Sequence, residues 1–171
     1  MIFTLIGMPS CGKSCMGRVV SKMLGLRHLD TDKIIEKQYG RRLHELVDSL
    51  GREEFMKIEE ATLMSFCEDN VLLSTGGSAV YYPNAMEHLK SMGKIIYLYC
   101  PYGVIKRRLG DYSKRGVILR DGQTLRDLYD ERTKLYERYA DITVDVGGSN
   151  YPLSHQRIVD AIKLISDTQS N

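Results

Sequence analysis

Apolar and polar residues follow two alternating patterns along this chain of 171 residues. Short apolar runs predict buried strands, and stretches with apolar residues at helical spacing predict the helices between them. The predicted strands cover residues 2–6, 27–29, 71–74, 94–99 and 142–146. The first predicted helix has Met16, Val19, Val20 and Met23 on its apolar face, and the last, 154–167, buries Ile158, Ala161, Ile162 and Ile165. Between them lie predicted helices over 31–39, 43–68, 83–91 and 122–139, and one that opens at Pro101. Gly40 and Gly51 break the helical pattern in the first part of the chain.

This alternation of strands and helices predicts a mainly parallel sheet with helices on both faces. No linker, repeat or low-complexity segment interrupts the pattern, so we expect one α/β domain over residues 1–171. The expected architecture is a three-layer α/β/α fold around a mainly five-stranded sheet. Residues 110–122 carry turn residues and charge without an apolar stripe, which predicts a mobile surface lid.

A glycine-bounded loop over residues 7–14 joins the first strand to the first helix and ends in Gly12-Lys13-Ser14. In this position backbone N–H groups and the positive end of the helix dipole point to one place, where a polyphosphate can bind. Lys13 then contacts the β- and γ-phosphates, and the Ser14 hydroxyl holds Mg²⁺. The loop predicts a nucleotide-kinase-like P-loop NTPase fold, and its candidate ATP-binding residues are Gly7, Pro9, Ser10, Cys11, Gly12, Lys13, Ser14 and Cys15.

Two acidic residues, Asp30 and Asp32, follow segment 27–29, where the next strand of the sheet would end. Ligands bind at the carboxyl ends of parallel strands, and an acid there can hold the metal or orient the nucleophile. Asp is also a favoured N-cap, so either residue could cap the helix that starts near Lys33. Two acids at i and i+2 exceed what capping needs, which favours a functional role.

One arginine, Arg132, falls on the apolar face of the helix predicted over 122–139. A guanidinium on an inward face needs an acidic partner or a ligand. Its partner is therefore a buried Asp or Glu or, as we favour, an anionic ligand, because the fork geometry of Arg suits carboxylate and phosphate. Gly76-Gly77, directly after the strand 71–74, is either a plain tight turn or a place where the backbone approaches a ligand closely.

Composition argues against several other classes of protein. The formal net charge is +2 with acids and bases interspersed, so we expect no nucleic-acid-binding face. The apolar start is too short for a signal peptide, and no apolar stretch is long enough for a membrane span. The four cysteines form no C-x-x-C pair and the four histidines are scattered, which argues against a disulfide framework or zinc site and fits a reducing cytoplasm.

Together these residues resemble the shikimate kinase family, small P-loop kinases that use ATP and Mg²⁺ to phosphorylate the 3-hydroxyl of shikimate. The resemblance runs in order from Ile2 to about Ile165. It implies a cytoplasmic enzyme of aromatic amino acid biosynthesis that acts on ATP and a small, hydroxylated, anionic metabolite. We expect it to work as a monomer, without nucleic acid or membrane partners.

The resemblance also implies roles for individual residues. Asp30 matches the acid that engages Mg²⁺ through water, and Asp32 matches the acid that binds the substrate hydroxyls and orients the attacking one. Arg115 matches the lid arginine that reaches the transferring phosphate. The other matches are Gly76 and Gly77 at the start of a three-glycine substrate loop, Arg108 and Pro152 on either side of the adenine ring, and Arg132 as one of two arginines that grip the shikimate carboxylate.

Four positions depart from the family's pattern. Ser10 in the phosphate loop and Ser78 in the substrate loop replace glycines, and Gly116 replaces a proline of the lid. Met56, directly after Phe55, replaces the other carboxylate-gripping arginine, although it can neither carry charge nor donate a hydrogen bond. Loss of a charge-assisted hydrogen bond, worth about 1.5–3 kcal/mol, predicts shikimate binding weaker by roughly ten- to a hundredfold. Ser78 and Met56 remain candidate substrate-binding residues.

Shikimate is the leading acceptor, and two alternatives stay open. The first is a kinase for another small hydroxylated metabolite, with a smaller or differently placed anionic group. The second is a non-catalytic, nucleotide-binding regulatory protein. The presence of Lys13, Ser14, Asp30, Asp32 and Arg115 argues against the second alternative, because a binding module needs no hydroxyl-orienting acid.

Overall fold

The fold is a five-stranded parallel sheet in the order β2-β3-β1-β4-β5, in a computed structural model that describes residues 1–110, 117 and 119–167. The strands are β1 Ile2–Ile6, β2 Arg27–Asp30, β3 Val71–Ser74, β4 Gly93–Tyr99 and β5 Ile142–Asp145. Strand β1 is central and buried at every position, pairing with β3 on one side and β4 on the other. Because all pairings are parallel, the loops after β1, β2 and β3 leave the sheet at one edge.

Helices form the outer layers of the α/β/α fold, with α1 beside α8 and α4 beside α5. Their bounds are α1 Lys13–Leu24, α2 Thr31–Tyr39, α3 Leu43–Leu50, α4 Arg52–Met64, α5 Pro83–Met92, α6 Tyr102–Leu109, α7 Leu125–Tyr139 and α8 Tyr151–Asp167, with a 3₁₀ turn over Ala79–Tyr81. The predicted breaks at Gly40 and Gly51 are confirmed. Within the described part of the chain, no helix combines the length and apolar character needed to cross a bilayer.

The buried face of α1 differs from the predicted one. Met16 and Val20 are buried as expected, but Val19 is 37% and Met23 is 52% exposed. The reason is Gly17, where an added Cβ would lie 2.7 Å from a serine hydroxyl of β3. A glycine here lets the helix approach the sheet closely, and this close approach turns the side of α1 that carries Val19 and Met23 towards solvent.

Three helix ends also differ from the predicted ones. The long helix expected to reach residue 68 ends at Met64, and a turn that closes at Asn70 with a left-handed φ of 61° leads into β3. Helix α7 begins at Leu125 because Thr124 caps it. Helix α8 begins at Tyr151 rather than at residue 154, so its early proline lies in the first turn, where proline is tolerated.

The lid predicted over 110–122 falls largely on residues that the structure does not describe. Residues 111–116 and 118 are outside the described set, and they include Arg115 and Gly116. Val117, which is described, is buried against the main core.

Candidate active site

A cavity of about 420 Å³ opens at the sheet edge where β1, β2 and β3 end. Loops that leave the same edge of a parallel sheet converge there, which is why residues far apart in sequence share its walls. The cavity brings together most of the predicted site residues, namely Pro9, Ser10, Gly12, Lys13, Ser14, Cys15, Asp32, Met56, Gly76, Gly77, Ser78 and Arg132.

The remaining predicted site residues do not line this cavity. Gly7 and Cys11 belong to the phosphate loop but face the protein interior. A Cβ at Gly7 would lie 2.7 Å from a backbone oxygen of β4, and the Cys11 side chain is fully buried. Asp30 lies beside the cavity at the end of β2, and Arg108 and Pro152 lie on α6 and α8. Arg115 lies outside the described residues.

The phosphate loop contains three residues with positive φ: Gly7 at 148°, Ser10 at 62° and Gly12 at 108°. The two glycines adopt these values without steric cost. Ser10 is in the left-handed region that disfavours side chains. This explains in physical terms why glycine suits position 10 and shows that the loop keeps its path with a serine there.

The Lys13 side chain is folded into the loop and buried. Its Nζ donates hydrogen bonds to the backbone oxygens of Gly7, at 2.7 Å, and Met8, at 2.9 Å. The ammonium thus holds both ends of the loop together at the place where phosphate oxygens would replace these carbonyls as acceptors.

Asp30 and Asp32 take different roles in the structure. Asp30 caps α2, because its Oδ1 accepts the N–H groups of Asp32 at 3.1 Å and Lys33 at 3.3 Å. Both bonds use Oδ1, which leaves Oδ2 for water or a metal. Asp32 lines the cavity, and burial raises its pKa to about 7, with further increases from the charges of Asp30 and Glu59.

Glu59 is a site residue that the sequence reasoning missed. It projects from α4 and accepts hydrogen bonds from Tyr82 Oη at 2.6 Å and Ser78 Oγ at 2.7 Å. A Cβ at Gly76 would lie 3.1 Å from Glu59 Oε1 and 3.2 Å from Asp32 Oδ1, so the two carboxyl groups flank one glycine. Burial raises the pKa of Glu59, while the two hydrogen bonds and Arg132 oppose this shift.

Arg132 is 6% exposed and faces the cavity. Its Nε donates a 3.4 Å hydrogen bond to Tyr81 Oη, and its guanidinium lies 5.2 Å from the centre of the Tyr81 ring. No carboxylate oxygen of the described residues lies within 4.0 Å of this guanidinium. The charge of the buried Glu59 nevertheless helps to raise the pKa of Arg132 from further away, and the anionic ligand stays a prediction.

Gly77 lies very close to two protein side chains, while the close approach to a ligand stays a prediction. A Cβ there would lie 2.7 Å from Pro9 Cδ and 3.0 Å from Arg132 Nη1, so no larger residue fits between the two loops. The backbone oxygen of Gly77 also accepts a 2.7 Å hydrogen bond from Tyr136 Oη. The glycine thus joins the phosphate loop to the arginine side of the cavity.

The expected adenine site contains a neighbour that the sequence did not indicate. The Arg108 guanidinium donates a 3.4 Å hydrogen bond to the backbone oxygen of Cys11 and lies 5.9 Å from the centre of the Tyr151 ring. Pro152 follows Tyr151 at the exposed start of α8. The structure places the Tyr151 ring opposite Arg108.

These features together define a class of protein. A phosphate loop after the central strand of a 2-3-1-4-5 parallel sheet, continuous with a cavity that contains two acids and an arginine, defines a P-loop kinase.

Known proteins identify the family within this class. A family model described as shikimate kinase matches residues 9–163. The shikimate kinase of Francisella tularensis subsp. novicida is 33% identical over 149 residues, 85% of each chain. That of Halorhodospira halophila is 32% identical over 162 residues, 93% of this chain and 92% of its own. Shikimate kinase from Acinetobacter baumannii in complex with shikimate has a TM-score of 0.84 at 28% identity, over 94% of this chain and 92% of that one. The chain belongs to the shikimate kinase family.

Proposed function

We propose that this protein transfers the γ-phosphoryl group of ATP to the 3-hydroxyl of shikimate, with Mg²⁺ as the metal. The observation that carries the proposal is one continuous cavity that the phosphate loop, Asp32 and Arg132 all line. The family match and the solved relative in complex with shikimate support the choice of acceptor. We also propose that the protein works as a monomer.

The proposed reaction depends mainly on positioning and charge. Lys13 and the loop N–H groups hold the β- and γ-phosphates, while Arg132 binds the shikimate carboxylate. Asp32 accepts the proton of the attacking hydroxyl. At the same time the hydroxyl oxygen of shikimate bonds to the γ-phosphorus, and the bond from this phosphorus to the β–γ bridging oxygen breaks. A pKa of about 7 suits a carboxylate that takes up a proton near neutral pH. We assign Arg115 to the charge of the transferring phosphoryl group on the family pattern alone.

The residues present fit Mg²⁺. Ser14 places an exposed hydroxyl at the cavity, and Asp30 keeps Oδ2 outside its capping bonds. Hydroxyl and carboxylate oxygens are hard ligands, and Mg²⁺ in kinases is bound through one or two protein oxygens plus substrate phosphates. Within the described ranges no group of three or more His, Cys, Asp or Glu could hold a metal alone, so an ion that enters with the nucleotide is the arrangement we propose. Such an ion neutralises charge on the β- and γ-phosphates.

A coupled assay of ADP release tests the proposal. Shikimate, other hydroxy acids, polyols and hydroxy amino acids are offered with ATP and Mg²⁺, and we expect the highest kcat/KM with shikimate. A higher value with another acceptor would identify the kinase with a different substrate. Nucleotide binding without acceptor-dependent ADP release would identify the regulatory protein instead.

The Tyr81 side chain is expected to position Arg132 for the shikimate carboxylate. A cation–π contact is worth about 0.5–2 kcal/mol, so Tyr81→Ala should raise the KM for shikimate by about two- to thirtyfold. Tyr81→Phe keeps the ring and should raise this KM less. The KM for ATP should stay within about twofold of the native value in both variants. Tyr39→Ala, on an exposed residue of α2, is the control, and equal effects of the Phe and Ala variants would refute the ring contact.

The cysteines provide a test of the nucleotide end of the cavity. Cys15 and Cys67 are exposed, whereas Cys11 and Cys100 are buried, and of the two exposed thiols Cys15 lines the cavity. We expect iodoacetamide to modify both exposed thiols, with ATP protecting Cys15 but not Cys67. Mass spectrometry of the modified peptides provides the measurement, and equal modification of Cys15 with and without saturating ATP would contradict the placement.

A further inference from the structure

Arg52 is a second arginine, after Arg132, that lines the cavity. It is the first residue of α4 and is half-buried, and it lines the cavity together with Met56, one helical turn further on. Residues at i, i+3, i+4 and i+7 share one helix face, so Arg52, Phe55, Met56 and Glu59 form one wall. The wall that lacks an arginine at position 56 therefore has one at position 52.

The local structure gives Arg52 no acidic partner. No carboxylate oxygen of the described ranges lies within 4.0 Å of its guanidinium. A cation in the first turn of a helix also opposes the helix dipole, and α4 has no side-chain cap. Helix stability therefore does not explain Arg52, whereas an anion bound in the cavity would.

The other nearby cation has a different environment. Lys57 is 73% exposed and donates a 3.0 Å hydrogen bond to Glu54, on the outer side of α4. The cations that line the cavity in the described part of the chain are Lys13, Arg52 and Arg132. Lys13 is held within the phosphate loop. Two guanidinium groups without a close acidic partner thus remain for the acceptor.

We infer that Arg52 binds the carboxylate of the acceptor together with Arg132, and so supplies from one turn earlier the charge that Met56 lacks. Arginine suits this role because its planar fork matches a carboxylate. The inference rests on the proposed function and makes Arg52 a specificity-determining residue. It also implies that the anionic group of the acceptor lies nearer the start of α4 than an arginine at position 56 would place it.

Arg52→Gln tests the inference with shikimate and its uncharged methyl ester as paired acceptors. We expect the KM for shikimate to rise by about tenfold, with kcat and the KM for ATP within about twofold of the native values. The methyl ester should lose much less, so the preference for shikimate over its ester should fall by about the same tenfold factor. Arg41→Gln is the matched control, because Arg41 is exposed and outside the cavity, and it should change neither acceptor.

A second variant checks the same role by rescue. Met56→Arg introduced into the Arg52→Gln protein returns a guanidinium to this wall and should recover at least about a third of the lost kcat/KM for shikimate. Failure of this rescue in a folded double variant would contradict the shared role. An unchanged KM after Arg52→Gln, or an equal loss with both acceptors, would also overturn the inference.

The outcomes separate this inference from the proposed function. Native protein that phosphorylates shikimate, combined with an Arg52→Gln variant indistinguishable from it, would overturn the role of Arg52 alone. Native protein without shikimate-dependent ADP release would overturn both. Circular dichroism melting curves of each variant show that a kinetic loss occurs in folded protein.

Discussion

Replacement of Lys13 by methionine is expected to lower kcat by about 10³-fold, since one preorganised cation at a transferring phosphoryl group contributes about that much. The ammonium is the cation that the structure holds within the phosphate loop, bonded to the backbone oxygens of Gly7 and Met8. Methionine is also unbranched and of similar length, so it fills the same buried channel without the charge.

The fold should survive this change. The variant loses two hydrogen bonds to the loop, which contribute about 1 kcal/mol each, less than the roughly 5–15 kcal/mol that stabilises a typical domain. Lys33→Met is the matched control, because Lys33 is an exposed lysine paired with Glu36, and it should keep native activity. ADP release and thermal unfolding are the measurements. More than a few per cent of native activity in folded Lys13→Met protein would refute the assigned role.

Asp32→Asn is expected to lower kcat by about 10²–10⁴-fold, the range for loss of a general base. The KM for ATP should change by less than about threefold, because we assign Asp32 to the acceptor hydroxyl and not to the nucleotide. The kinetic split is the decisive readout. A collapse of ATP affinity with little change in turnover of the bound complex would place Asp32 on the metal side instead.

The same variant should be more stable than the native protein at neutral and alkaline pH. The pKa of Asp32 is raised from 3.8 to about 7 in the fold, so the folded state binds the proton more tightly than the unfolded chain. Native stability therefore falls as pH rises from about 4 to about 7, and the full cost applies above pH 7. One pKa unit corresponds to about 1.4 kcal/mol, which sets a gain of at most about 4 kcal/mol for the asparagine variant.

Melting temperatures at pH 5 and pH 8 measure this gain. The advantage of Asp32→Asn over the native protein should be larger at pH 8. Asp48→Asn, on an exposed acid of α3, is the control and should show no such dependence. An advantage that is equal at both pH values would mean that Asp32 ionises as a solvated acid does, and one that is larger at pH 5 would mean that the fold lowers its pKa.

Loss of activity and gain of stability in one variant is what a buried functional acid predicts. Burial and the charges of Asp30 and Glu59 raise the pKa of Asp32. The protein retains the resulting loss of folding stability at a residue that lines the cavity. A residue kept only to cap α2 would show neither effect, and Asp30, not Asp32, makes the capping bonds.

The sequence was sufficient to predict the strands and the phosphate loop because their signals are local. Apolar runs such as 71–74 have few other stable placements, and the spacing from Gly7 to Ser14 is fixed by the chemistry of phosphate binding. The meeting of this loop with Asp32 and Gly77 could also be anticipated, since parallel strands end at one edge of a sheet.

The wall of the cavity that α4 forms was harder to predict, because it depends on which face of α4 is turned inward. Glu59 and Arg52 lie on the inward face at i+4 and i−3 from Phe55. Both are charged residues on an inward helix face, the same sequence signal that marks Arg132 on α7. The raised pKa of Asp32 could not be anticipated, since it depends on burial and on the approach of Glu59, which lies on a different helix.

Two further differences have their origin in tertiary packing. The side of α1 that faces the sheet is set by the close approach at Gly17, which an apolar pattern cannot register. Tyr151 lies opposite Arg108 because α8 begins earlier than its apolar stripe suggested. In both cases the deciding contact joins elements distant in sequence.

The central claim is that one cavity brings the γ-phosphate of ATP to the 3-hydroxyl of shikimate. The most direct test is phosphorus NMR of a mixture of the protein, ATP, Mg²⁺ and shikimate, with the position of the new ester assigned by its coupling to the ring proton. The account predicts a single phosphate monoester on the 3-hydroxyl, formed one-for-one with ADP. A phosphate on another hydroxyl, or ADP that accumulates with inorganic phosphate and no phosphorylated shikimate, would contradict it.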